Sequence, residues 1–561
     1  MQTSTPILLA ALVVTGAGCR PARPADLVLR SVAVYTMATP DTAEAVAIRS
    51  GKIVYVGDNA GADRLIGDST EVLDLAGRMV MPSFRDIHVH PQAGAALGEC
   101  QLGSLTTPAA IVDEVRRCVA ATPPGNWVRG HGWQLPVFPG ANPHKRLLDS
   151  VAPDHPVVLV AADGHSTWVN SRALAAAGID RATPDPAGGR IERDPSGEPS
   201  GTLRERAAHL VRRHLPGRTE AQLREGIRQA LTLANRYGIT AVHDASVGLD
   251  ALAAYAGLDR DGELTARVVA AQYVDHEGGL DQVDSLAARR KRFAGTRYFR
   301  PDAAKLFADG VIEAGTAALL EPYTGTASRG TAHFRPGQLD SLVAALDRAG
   351  IQIHIHAIGD RAVRQSLDAI EWARGSSAAL KHPPILAHLQ LIDPADIPRF
   401  ASLGVVAGFQ PLWAYADEYI TELTEPVLGP DRSRWLYPIG TLARSGAVIA
   451  AGSDWSVSSL NPLEAIQVAV TRLPLDAGET SPAWLPTERV DLTTILRAYT
   501  IDGTRAAGEA KRTGSLEVGK AADLIVIDRN LYRIPATEIH RARVLLTLLD
   551  GQSVYRDRAL R

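Results

Sequence analysis

The chain has 561 residues, 45% of them hydrophobic and 22% charged, and its 59 Lys and Arg stand against 62 Asp and Glu for a net charge of −3. This is an ordinary globular composition with room for a large core, which excludes a disordered chain, a collagen or mucin and a polytopic membrane protein. The near-neutral balance lacks the basic excess that phosphate contacts require, and so argues against nucleic acid as a partner.

Residues Ile7 to Val14 form a short apolar run, followed by Gly16-Ala17-Gly18 and then Cys19. That run is far short of the roughly 20 residues that cross a bilayer, so it reads as the core of an export signal. Small residues directly before a cysteine resemble a bacterial lipoprotein signal. On that reading residues 1–19 are signal peptide, a lipidated Cys19 is the only membrane attachment, and the protein is periplasmic or lipid-anchored. The alternative is a cytoplasmic chain whose first residues are simply buried. The other two cysteines, Cys100 and Cys118, are 18 positions apart. In an oxidising compartment they are candidates for a disulfide worth roughly 3 kcal/mol in the chain-entropy account, and otherwise for two buried thiols.

Residues 26–81 read as short strands broken by glycines: Leu27 to Tyr35, Ala45 to Ile48, Lys52 to Val56 and Glu71 to Leu75. The end of the chain, 505–561, has the same texture, with Asp523 to Asp528, Val544 to Leu549 and a turn at Asp550-Gly551. The two ends are expected to pair into one composite β-sandwich. Between them, over residues 82–500, apolar strands alternate with helical patterns. The strands run Phe84 to His90, Ile239 to Asp244, Arg267 to Tyr273, Ala303 to Ala308, Gln352 to Ala357, Pro384 to Leu389, Val405 to Gln410 and Val448 to Ser453. Helices are legible at Glu220 to Tyr237 and Gln338 to Ala349. Parallel βα units of this number predict a (β/α)8 TIM barrel, whose chemistry sits at the C-terminal strand ends. The stretch from about 92 to 237 is too long for a loop and predicts an α/β insertion after the first strand.

Alternation along the first strand points His88 and His90 to one side, as adjacent metal ligands need. Alone this is a weak signal: 16 histidines in 561 residues give about half an H-x-H by chance, and His354-Ile355-His356 is a second one. Position adds weight. His88, His90, Lys305, His356, His388 and Asp454 all end apolar strands and so converge at one mouth of the barrel. A lysine there needs a partner or a lowered pKa, and as a carbamate it becomes an anionic bridge between two metals. Asp454 sits where a general base takes a proton from water. His354 reads as packed against a helix, and Asp309 and Asp360 read as braces of neighbouring loops.

The segments Pro82-Ser83-Phe84-Arg85-Asp86-Ile87-His88-Val89-His90-Pro91, Lys305-Leu306-Phe307-Ala308-Asp309-Gly310, His356-Ala357-Ile358-Gly359-Asp360-Arg361-Ala362 and Gly452-Ser453-Asp454-Trp455 resemble the amidohydrolase superfamily. Within it they are most similar to amidohydrolase family 3, the YtcJ-like metal-dependent hydrolases that include N-substituted formamide deformylases. Asp163-Gly164-His165-Ser166 and the run Gly514 to Leu524 are similar to further patterns of that branch. The resemblance implies a TIM barrel with a composite β-sandwich. It also implies hydrolysis of a non-peptide carbon–nitrogen bond in a small-molecule amide, with one or two divalent metal ions, most often zinc. His88, His90, Lys305, His356 and His388 would be ligands, with Lys305 carbamylated if there are two metals. Asp454 would be both ligand and proton-transfer group. His165 and His131 in the insertion are candidate substrate contacts. Ser83 stands where the family has glycine, and Arg85 is a second departure.

Two other readings are weighed against this one. A hydrolase of cyclic amides or of N-acyl-amino acids would share much of the ligand set. A barrel that binds but does not catalyse would be expected to have lost a ligand or Asp454, and none is missing. The insertion is also a candidate interface for a second copy of the chain.

Overall fold

The computed structural model describes residues 23–293, 297–375, 380–478 and 480–560. The proposed signal and Cys19 lie outside the described residues.

Eight parallel strands form one sheet: β1 (Phe84–Val89), β2 (Ile239–Val247), β3 (Arg267–Tyr273), β4 (Phe299–Phe307), β5 (Gln352–Ala357), β6 (Ile385–His388), β7 (Val406–Phe409) and β8 (Val448–Ala451), neighbours in chain order. The ring is completed beyond the end of β8, where Asp454 N donates to His88 O at 2.7 Å and His90 N to Trp455 O at 2.8 Å. Gly452 is required at this seam, because a Cβ there would lie 2.7 Å from His88 N and 2.8 Å from Asp86 Oδ1. The eight strands are those that apolar periodicity marks, with β2 and β4 longer by several residues. The structure is thus a nearly closed TIM barrel with additional sheets.

Both ends of the chain meet in a β-sandwich. One sheet holds Lys52–Gly57, Ala45–Arg49, Leu27–Arg30 and Glu71–Asp74. The other pairs the C-terminal strand Leu524–Ile527 antiparallel with Met79–Pro82, so that each end completes the other's sheet. Leu29, Val46, Val80, Val526 and Leu546 fill the space between the sheets. The segment from Leu27 to Tyr35 is not one strand. At Ser31 the backbone turns left-handed (φ 56°), held by Asn59 Oδ1 on its N–H, and Leu27–Arg30 and Ala33–Tyr35 go to different sheets.

After β1 the chain builds a six-stranded sheet from Cys100 to Glu205, with its own apolar cores around Trp133 and Trp168 and around Leu174 and Leu203. The Cys100 and Cys118 sulfurs are bonded, with Cα atoms 5.8 Å apart. The insertion is shorter than the 92–237 that loop length suggests. Helix Glu220–Arg236 is the barrel's own crossover: its Leu223, Ile227, Ala230, Leu231 and Ala234 share a core with β2 and β3. Its start is fixed by a capping box of Thr219 and Gln222.

Candidate active site

At the C-terminal mouth of the barrel the strand ends bring most of the expected residues together. His88 is buried in β1, and His90 follows it. His90 Nε2 lies 2.9 Å and His88 Nε2 3.5 Å from Asp454 Oδ1. Lys305 on β4 places Nζ 3.2 Å from His88 Nε2 and 4.8 Å from the centre of the Phe307 ring. His356 and His388, at the ends of β5 and β6, stand with ring centres 4.5 Å apart, and His388 Nδ1 is 3.8 Å from Asp454 Oδ2. His388 and Asp454 both have left-handed backbone (φ 77° and 54°), a conformation an L-residue adopts only where surrounding contacts impose it.

Burial sets the charge states. It pushes His88 and His356 well below the usual histidine range, and His388 down to about 3, so these imidazoles are neutral and carry lone pairs. Burial also brings Lys305 down to about 7, against the pull of Asp454. For Asp454 burial works upward, but His90, His388 and Lys305 outweigh it and hold the carboxyl below its ordinary value. Asp454 Oδ1 is fully buried yet in hydrogen-bond alignment with no donor. Neutral imidazoles converging on an orphaned carboxylate oxygen are the donor set of a divalent metal ion, and His88, His388 and Asp454 offer atoms within 4.8 Å of one another. The residues present fit such an ion.

Braces behind these groups are partly those the sequence marks. Asp309 accepts from the backbone N–H groups of Ile358, Gly359 and Ala318, which holds the loop after His356, and Asp360 accepts from Leu320 N. Asp86 links the two ends of the barrel seam, accepting from His88 N and Ser453 N. Gln410 Oε1 meets His388 Nδ1 at 2.9 Å. His354 is not packed against a helix. It lies inside the barrel below His88, its Nε2 3.0 Å from His88 Nδ1, because the alternation that points His356 inward points His354 inward too. The H-x-H of β5 is thus one candidate ligand and one group that orients another. Neither departure of the first segment disturbs the site. Ser83 has ordinary backbone and bonds Thr240 at 2.5 Å, and Arg85 fills the barrel floor with Glu509 as its ion-pair partner.

The insertion contributes His165. Its Nδ1 is 2.8 Å from Glu205 Oε2, and its ring centre is 5.1 Å from that of His356. Burial alone would lower its pKa, but Glu205 raises it to about 9, so His165 stands as a cation beside the neutral histidines. Glu205 takes a left-handed φ of 49° and also accepts from Thr316 Oγ1. His131 does not reach this place: its strand pairs it with Gln101 and Val160 in the insertion sheet, and the cavity is met instead by Gln134 and the loop Ala162 to His165. The cavity in front of His356, His388 and Asp454 holds about 320 Å³. Part of its wall comes from Glu313, Trp413, Tyr415 and Asp417, residues of loops with no periodic signature to mark them.

The family profile described as the amidohydrolase family matches residues 71–555. A curated relative, Protein LONG AFTER FAR-RED 3 of Arabidopsis thaliana, is 30% identical over 545 residues, covering 95% of this chain and 92% of its own. The N-substituted formamide deformylase of Arthrobacter pascens is 30% identical over 549 residues, 94% of this chain and 97% of its own. Among solved structures, an uncharacterized metal-dependent hydrolase from Pyrococcus furiosus superposes with a TM-score of 0.68 at 26% identity, covering 90% of this chain and 99% of its own.

Proposed function

This chain belongs to the amidohydrolase family, and from that membership we propose that it is a metal-dependent hydrolase of a non-peptide carbon–nitrogen bond in a small-molecule N-acyl or N-formyl amide. The observation that carries the reading is the buried Asp454 carboxylate, with one undonated oxygen, among neutral imidazoles at the mouth of the barrel. His88, His90, His356, His388 and Asp454 would hold the metal, and Lys305, as a carbamate, would bridge a second ion. The N and O donor set suits zinc. When bound, the metal supplies a Lewis acid and a lowered pKa for water.

The chain's own residues do the rest. Asp454, kept ionised, accepts the proton of the attacking water and passes it to the departing nitrogen. Cationic His165 offers a hydrogen-bond donor across the cavity from Asp454, where the substrate carbonyl or its neighbour would lie. His354 and Gln410 hold the rings of His88 and His388 in place, so little reorganisation is needed during reaction. The insertion and the loop around Trp413 supply walls of the cavity in front of these groups.

The apolar run from Ile7 to Val14 and the small residues before Cys19 support export and lipidation as part of this reading. Radiolabelled palmitate entering the wild-type chain but not Cys19→Ser in a bacterial host checks it.

Metal content per chain and amine release from N-formyl and N-acyl amides, with and without chelator, test the activity. One or two ions per chain and chelator-sensitive release are expected. No ion after growth with added metal, together with no release, would turn the reading to a barrel that binds without catalysing.

A further inference from the structure

The cavity has a second wall, away from the candidate ligands, built from groups that hydrolysis itself does not use. Glu313, Asp417 and Asp163 face it together with Trp413, Tyr415 and Tyr419, and no lysine or arginine does so among the described residues. The cation present, His165, is already held by Glu205.

These carboxylates have only neutral hydrogen-bond donors. Glu313 Oε1 accepts from Gln390 Nε2 and Thr424 Oγ1, both at 2.6 Å. Asp417 Oδ1 accepts from Ile420 N at 3.0 Å. Asp163 Oδ1 accepts from the N–H groups of His165 and Ser166, while its Oδ2 is buried without a partner. The three lie close enough to act on one another. Burial is the main cause of the rise at Glu313 and Asp417, and to it Asp163 adds at Glu313 and Glu313 adds at Asp417, which reaches about 6. Asp163 has His165 and Arg204 as positive neighbours, whereas Glu313 and Asp417 meet only neutral donors, and burying such carboxylates is unfavourable unless a ligand supplies a counter-charge. The aromatic share of the wall narrows the choice of ligand. Ring faces attract organic cations, and Trp413 is fixed parallel to His388 at 5.8 Å, which ties this wall to the reacting end.

The geometry points to a substrate whose amide bears a positively charged arm, an alkylammonium or quaternary ammonium group that sits between Glu313, Asp417 and the rings of Trp413 and Tyr415 while the amide lies at Asp454. The substrate class rests on the amidohydrolase reading, whereas the cation recess does not. An acidic and aromatic wall also disfavours an anionic arm, and so counts against N-acyl amino acids with a free carboxylate.

Calorimetric titration of the metal-loaded protein with choline and with its uncharged isostere 3,3-dimethylbutan-1-ol separates charge from shape. Choline is expected to bind at least tenfold tighter, and Glu313→Gln or Asp417→Asn to weaken choline alone. The second step compares kcat/KM for the N-formyl derivatives of (2-aminoethyl)trimethylammonium and of 3,3-dimethylbutylamine, with a preference of at least tenfold for the charged one. Equal binding of the two alcohols, or none of either, overturns the cation recess whether or not the variants fold. If formamides are then still cleaved, the amidohydrolase reading stands without it. Tight choline binding with no cleavage of any amide does the reverse, overturning the substrate class and leaving a cation-binding cavity.

Discussion

Replacing Arg267 with methionine tests what joins the barrel to the sandwich. Arg267 opens β3, almost wholly buried, and donates through Nε and Nη2 to both oxygens of Asp523 at 2.8 and 3.1 Å, with Asp550 as a further partner. Asp523 is equally buried and sits just before the C-terminal strand of the sandwich. Methionine keeps most of the volume but leaves the Asp523 carboxylate without its cation, and breaking a buried pair from one side costs about 3–5 kcal/mol. Taken over 561 residues at roughly 2.1 cal/mol/K per residue, that is a fall in Tm of about 3 to 4 °C, larger if the sandwich melts as its own smaller unit. Scanning calorimetry reads the shift. Asp523→Asn in the Arg267→Met background removes the stranded charge and is expected to restore a good part of the loss, which a mere packing defect at position 267 would not allow. Turnover at 25 °C should hardly change, since the pair is at the opposite end of β3 from the cavity. An Arg267→Met protein that melts within about 1 °C of wild type would refute the reasoning, because no buried pair of this geometry is that weak.

Four further outcomes follow from the site and the insertion. Asp454→Asn should lower turnover by about 10²–10⁴-fold, the range for a lost general base, while metal content per chain persists; unchanged turnover would remove Asp454 from proton transfer. Lys305→Ala should lose bound metal and regain some activity with added short-chain carboxylate; full metal occupancy would exclude a bridging carbamate. In metal-free protein the His165 ring should titrate near 9 by NMR, and Glu205→Gln should lower it clearly, since the carboxylate that most opposes burial is then gone and only the weaker pull of Asp163 and Asp454 remains. Because the folded pKa lies above the unfolded one, the pair's stabilisation is complete below pH 6.5 and disappears as pH rises through about 9; a wild-type titration near 6.5 would contradict the assigned ion pair. Reducing Cys100–Cys118, which closes a span of 18 positions, should cost about 3 kcal/mol and raise hydrogen exchange in the insertion strands first; uniform exchange before and after would argue that the insertion does not open as its own unit.

What could be read from the sequence divides along a physical line. The eight barrel strands, each buried on both faces, leave apolar runs, and a polar residue at the end of such a run stands out; this is why His88, His356, His388 and Asp454 were legible without coordinates. His354 shows the limit of that rule. Its place within a run pointed to burial, but only closure of the eight strands into a ring brings its inward face against His88 on β1 and not against a helix. Helix Glu220–Arg236 shows a similar limit, since an amphipathic face is visible in sequence while the core it joins is not. Residues recruited from loops are harder still. Glu313, Tyr415 and Asp417 belong to irregular segments whose sequence has no period, and their common property, facing one recess, arises only when the turn after β4 and the loop after β7 arrive over the same strand ends. Candidate ligands fixed to strand ends therefore read from sequence, and the residues that loops bring to the cavity do not. On the proposed reading, the reaction class and the charge preference of the substrate stand on these two separate kinds of residue, so variation at Glu313 or Asp417 should alter which amide is chosen and leave intact the means of cleaving it.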